Sequence, residues 1–193
     1  YVDNNTFTID AKINIFKQIL NIISTFHNKG LAHRDIKLEN FLIQKQHNNI
    51  NIKITDLDFS SIATKDLEFL GGTLHYASYE LINHKKITSW YSSDIWSLTV
   101  ILYILLFNTF PWSNTLTYNT YNKHINKIDK PCKIFNNYII DNPITYWNKH
   151  LSTLFEKDDI YFTIFSHLLT YGFNENWNAR TDINYIQNLL SHI

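Results

Sequence analysis

Apolar residues recur at helical spacing near the start of the chain, where Ile15, Ile19, Leu20, Ile22, Ile23 and Phe26 form one broad stripe over residues 11–27. The stripe predicts an amphipathic helix with Thr8 or Asp10 as its N-cap and Gly30 as its stop. The period then changes. Phe41-Leu42-Ile43 reads as a short strand, Gln46-His47-Asn48-Asn49 as a polar turn, and Ile50, Ile52 and Ile54 alternate with period two, so a hairpin follows the helix. Ser60 to Gly72 is polar and aperiodic, ends in Gly71-Gly72, and reads as a loop lying over a site. The second half returns to helices. Ser93 or Asp94 opens one that runs to Phe107 and cannot pass Pro111, and residues 159–171 and 181–191 carry the spacing of two closing helices. Residues 113–158 are rich in Asn and Tyr with weak periodicity, and are expected to hold one or two short helices and mobile loops. The most apolar run, Leu98 to Phe107, has about half the ~20 residues a membrane span needs, so it reads as a buried core helix.

Composition narrows the class. A chain of 193 residues is enough for one domain, or for one lobe of a larger unit. Its 45% hydrophobic and 18% charged residues exclude disorder as the general state. Lys plus Arg and Asp plus Glu stand at 17 each, so there is no basic surplus to hold nucleic acid or an anionic membrane. The single cysteine, Cys132, excludes an intramolecular disulfide and a Cys-rich zinc site, and points to a reducing intracellular compartment, cytoplasm or nucleus. Methionine is absent and Tyr1 opens on sequence with the character of mid-protein, so further sequence is expected upstream.

The chemistry is concentrated between the first helix and the hairpin. There His33-Arg34-Asp35-Ile36-Lys37-Leu38-Glu39-Asn40 matches the pattern H-R-D-x-x-x-x-N. Phosphoryl transfer explains the spacing: a carboxylate accepts a hydroxyl proton while an amide oxygen a few residues on holds a metal ion that bridges phosphates. A second carboxylate must face the same metal. Asp56, at the end of the strand Lys53-Ile54-Thr55, is placed for that by the hairpin, and this register fits the strand better than the alternative Asp58-Phe59-Ser60.

On these residues the chain resembles the eukaryotic protein kinase family, specifically its C-terminal lobe, from about Thr8 onward. Gly72-Thr73-Leu74-His75-Tyr76-Ala77-Ser78-Tyr79-Glu80 is similar to the family's G-T-x-x-Y-x-A-P-E segment, with Ser78-Tyr79 in place of Ala-Pro. Ser93-Asp94-Ile95-Trp96-Ser97-Leu98 is similar to its D-x-W-S-L helix start, and Arg180 stands where the family has an Arg that pairs with the motif Glu, here Glu80. The resemblance implies an α+β, mainly helical fold with a small β-hairpin at the catalytic loop. Residues 1–193 would be a partial kinase domain without the N-terminal β lobe, since no Gly-rich phosphate loop or strand Lys occurs in them. Residues 56–80 would be its activation segment and residues 113–158 a divergent insertion. The resemblance gives Asp35 the role of base and Lys37 that of steadying the phosphate, and Lys37 favours Ser/Thr substrates. It makes Asn40 and Asp56 magnesium ligands, Leu42 the floor beneath the adenine of ATP, and Glu39 a substrate or ribose contact. Asp94 would brace the loop backbone. Thr64, with Ser60 and Ser61 as competitors, would be a phosphosite received by Arg34.

The implied function is ATP-dependent, Mg²⁺-dependent phosphorylation of Ser/Thr in protein substrates. One departure matters: Asp56-Leu57-Asp58 replaces the family's Asp-Phe-Gly, and Asp58 stands where Gly gives backbone freedom. The alternative reading is therefore a non-catalytic, kinase-like binding module.

Overall fold

A computed structural model describes residues 7–46, 49–63, 73, 75–82, 87, 89–112 and 143–193. The described chain is mostly helical with two small sheets. Helix α1 runs Ile9–Asn28, capped by the Thr8 side chain, which accepts from Ala11 N. Its buried face, Ile13, Ile15, Phe16, Ile19, Leu20 and Ile23, shares four residues with the stripe read from the sequence, whose Ile22 and Phe26 are only partly buried. Gly30 follows at φ 77°, a left-handed conformation that glycine adopts without a Cβ penalty.

Strand β1 (Leu31–Ala32) comes next, then a 3-10 turn at Leu38–Asn40 and the hairpin β2 (Phe41–Gln46) and β3 (Asn49–Ile54). The hairpin is antiparallel, with Phe41 opposite Ile54 and Gln46 opposite Asn49, so β2 runs three residues further than the Phe41–Ile43 segment expected. The Gln18 side chain on α1 reaches the hairpin edge, its amide nitrogen on Ile50 O at 2.8 Å and its oxygen on Ile52 N at 3.0 Å. The segment from Ser60, expected to be loop throughout, begins as strand. Ser61–Ile62 forms β4 and pairs antiparallel with β1, Ala32 opposite Ser61.

Helix α2 (Tyr79–Ile82) leads to α3 (Trp90–Phe107), which starts three residues before the expected Ser93. Trp90 decides the start: it is buried with Ala32, Ala63, Ala77 and Leu81, and its N–H donates to Ala63 O at 3.2 Å. Every residue from Ser93 to Leu106 is buried, which is why the helix is apolar on all sides. By length and composition it could cross a membrane, but 83% of it lies buried inside the protein, the condition of a central core helix.

Helices α4 (Pro143–Leu151), α5 (Ile160–Gly172) and α6 (Ile183–Leu190) complete the described chain, with a 3-10 turn at Trp177–Ala179. Helices α5 and α6 lie within two residues of the closing helices expected. The 113–158 region divides: residues 113–142 lie outside the described residues, while α4 buries Trp147 and Leu151 in the core. Gly172 lets α5 approach α3, because a Cβ there would stand 2.1 Å from Thr99 Oγ1.

Among the histidines whose pKa burial lowers, His75 and His150 illustrate how such groups make stability depend on pH. His75 packs its ring 5.7 Å from Phe110, and burial pushes its pKa down to about 4. His150 Nδ1 lies 2.6 Å from the Tyr103 hydroxyl, and burial, then Lys149, push its pKa down as well. A folded-state pKa below the unfolded ~6.5 means the unfolded chain binds more protons in acid. The melting temperature is thus expected to be level above about pH 7 and to fall from about pH 6.5 towards 4. His75→Gln should make that acid limb shallower; an identical limb in melting curves of the two proteins would remove His75 as a cause.

Candidate active site

The His33–Asn40 loop begins with a strained residue. Arg34 has φ 70°, in the left-handed region that costs any residue with a Cβ about 1–2 kcal/mol. The carboxylate of Asp94, 1% exposed on α3, holds that conformation by accepting from two consecutive backbone donors. Oδ2 takes His33 N at 2.8 Å and Oδ1 takes Arg34 N at 2.9 Å. His27, in the last turn of α1, places Nε2 3.0 Å from the same Oδ2. A carboxylate only accepts, so His27 donates. The bracing by Asp94 was expected from its motif. The part of His27 was not, and its only signal in the sequence is a histidine at the end of a predicted helix, 67 residues from Asp94.

His33 is core. It is 1% exposed, its ring lies 5.7 Å from Phe26, and Nδ1 accepts from Asp35 N at 3.3 Å. Burial lowers its pKa, while the charges of Asp94, Asp35 and Asp56 pull the other way.

Asp35 is 5% exposed, and each of its oxygens has partners. Lys37 Nζ lies 2.5 Å from Oδ2, and the Asn40 amide nitrogen 3.4 Å from it. Thr73 donates to Oδ1 twice, from N at 3.1 Å and from Oγ1 at 3.2 Å. The Asn40 amide nitrogen also donates to Asp35 O at 2.9 Å, which leaves Oδ1 as that amide's acceptor. The Asn40 carbonyl accepts from Thr55 N at 2.8 Å and Thr55 Oγ1 at 3.3 Å, tying the loop to the end of β3.

Asp56 follows immediately, exposed and at φ 62°. A second left-handed, non-glycine residue beside a buried carboxylate is the kind of strain that collects at functional sites. Asp58 N lies 3.4 Å from Asp56 Oδ1. Among the described non-glycine residues only Arg34, Asp56 and Asn108 have positive φ, so the backbone at Asp58 does not require glycine. The structure thus brings together Asp35, Lys37, Asn40 and Thr73, with Asp56 on the adjoining strand end. Glu39 is exposed, and Leu42 and Leu57 are 53% and 50% exposed.

The segment that carries Thr73 is anchored at its far end. Glu80 and Arg180, 1% and 8% exposed, form a bidentate pair, Nη1 to Oε1 at 2.7 Å and Nη2 to Oε2 at 2.6 Å. Arg34 Nη1 lies 3.3 Å from Ser61 Oγ, and its guanidinium sits 4.0 Å above the Trp90 ring. Thr64, Gly72 and Leu74 lie outside the described residues.

Comparison with known proteins identifies the family. The family described as Protein kinase domain matches residues 1–188. Over 108 residues the chain is 40% identical to the mitosis inducer protein kinase cdr1 of Schizosaccharomyces pombe, a stretch that covers 55% of this chain and 18% of that one. It is 36% identical over 109 residues to calcium/calmodulin-dependent serine/threonine-protein kinase 1 of Oryza sativa, covering 55% and 18%. It is 38% identical over 99 residues to the NUAK family SNF1-like kinase 1 of Mus musculus, covering 50% and 14%. The matched stretches thus span less than a fifth of these relatives. The ordered motifs, the loop they build and a family match along nearly the whole chain make this protein a member of the eukaryotic protein kinase family.

Proposed function

We propose that the protein transfers the γ-phosphoryl group of ATP to a Ser or Thr hydroxyl of a protein substrate, this chain being the C-terminal lobe of its kinase domain. The observation that carries the reading is the Asp35 carboxylate, buried yet held on one oxygen by Thr73 and on the other by Lys37. Catalysis of this class is mostly positioning and charge stabilisation. Asp35 accepts the proton of the substrate hydroxyl as the hydroxyl oxygen bonds to the γ-phosphorus and the bond from that phosphorus to the ADP oxygen breaks. Lys37 supplies positive charge to the transferring phosphoryl oxygens. Asn40 Oδ1 and the Asp56 carboxylate are hard oxygen donors at adjoining chain ends, and they suit Mg²⁺, which takes one or two carboxylates together with substrate phosphates. When bound, Mg²⁺ neutralises the phosphate charge. The exposed Leu42 side chain offers an apolar surface to adenine, and Glu39 a carboxylate to ribose or substrate.

A second reading, a non-catalytic binding module, is favoured by Asp58, which adds a negative charge beside Asp56 where the family has Gly. Nucleotide separates the two. The full-length protein is expected to melt higher with ATP and Mg²⁺ than with ATP alone, and to move label from γ-labelled ATP onto Ser or Thr of a protein substrate. Neither shift nor label would establish the binding-module reading instead.

A further inference from the structure

A serine inside a helix ordinarily returns its hydroxyl to the carbonyl four residues back. Ser97 on α3 lies 3.3 Å from that carbonyl, Ser93 O, but 2.7 Å from Tyr76 O on another element. From Tyr76 the bonding continues to the site. Tyr76 N donates to Thr73 O at 2.9 Å, and Thr73 N and Oγ1 both donate to Asp35 Oδ1. One turn earlier on α3, Ser93 Oγ lies 3.1 Å from Ser78 Oγ. Ser78, Ser93 and Ser97 are 0%, 3% and 8% exposed, so water does not compete for these hydroxyls. Ser78 stands where the family's motif has Ala, which makes its hydroxyl a departure of this chain.

We propose that Ser97, supported by the Ser78–Ser93 bond, is a positioning residue for phosphoryl transfer. It holds the Tyr76 carbonyl and, through the Thr73–Tyr76 turn, sets Thr73 against Asp35, so that the carboxylate meets the substrate hydroxyl in one orientation. The inference rests on the phosphoryl-transfer reading. It is tested in the full-length protein by amide hydrogen exchange over residues 73–80 and by steady-state transfer to a peptide substrate. Ser97→Ala removes the hydroxyl that donates to Tyr76 O, and is expected to speed exchange at the Thr73 and Tyr76 amides about tenfold and to lower kcat about tenfold, with the KM for ATP unchanged. Ser97→Thr, which keeps the hydroxyl, should restore both, and Ser78→Ala should move both in the same direction by less. If Ser97→Ala lowers the melting temperature while exchange and kcat per folded molecule stay at wild type, the residue is merely structural and the proposal fails. Absence of transfer in the wild type would overturn the functional reading and the positioning role with it; equal transfer by wild type and Ser97→Ala overturns the positioning role alone.

Discussion

Replacing Asp35 with Asn is expected to slow phosphoryl transfer by roughly 10²–10⁴-fold, the usual worth of a positioned general base. The change is nearly isosteric. An Asn oxygen can still accept from Thr73 N and Oγ1, so the segment keeps its anchor on the loop. What is lost is the anionic oxygen 2.5 Å from Lys37 Nζ and the capacity to take a proton. The Asn nitrogen then faces two donors, Lys37 Nζ and Asn40 Nδ2, so Lys37, 20% exposed, turns towards solvent and a modest fall in melting temperature is expected. Steady-state kinetics of the full-length protein with ATP and a protein substrate checks this. A kcat loss with an unchanged KM for ATP is the expected outcome, and unchanged turnover would remove Asp35 from the mechanism.

The largest stability effect is expected at the Glu80–Arg180 pair. Both side chains are buried, and Arg180 is held further by Nε to Asn174 O at 2.8 Å, by Nη1 to Ser92 O at 2.9 Å, and by its guanidinium 4.8 Å above the Trp96 ring. Removing either partner leaves the other charge buried and uncompensated, which costs about 3–5 kcal/mol. Against a total stability of about 5–15 kcal/mol, that is a third or more for many domains. Arg180→Ala should therefore lower the urea midpoint strongly, and Glu80→Gln should do so almost as far. The double variant Glu80→Gln/Arg180→Met should lose much less than the sum, because no charge is left in the core. Additive losses would show that the two charges do not depend on each other. The pair joins the segment after Thr73 to the chain just before α6, 100 residues apart, so its loss should also loosen the site.

Local pattern carried α1, the hairpin, α5 and α6, because each has a face that alternates between core and solvent at one period. It was weaker where no such contrast exists. Helix α3 is buried from Ser93 to Leu106, so apolar spacing marks no face, and its first turn depends on the packing of Trp90 against Ala63 and Leu81. Ser89 precedes it without a capping bond, so the usual N-terminal signal is silent. Strand β4 has two residues, too few for a period, and exists because Leu31–Ala32 lies beside it.

The sequence by itself determined the chemistry available to this protein: the spacing from Asp35 to Asn40, the carboxylate at a strand end and the charged partners at positions 80 and 180 are readable along the chain. The first two are set within a few residues, by turn and strand geometry, while the pairing of positions 80 and 180 was read from the family resemblance. Only the tertiary structure decided which of these groups are buried and what they touch. His27 on Asp94, Thr73 on Asp35 and Ser97 on Tyr76 join residues 67, 38 and 21 positions apart. Their physical cause is burial: packing α1, α3 and the 73–80 segment together removes water from these polar groups, and each must then find its partner in the protein.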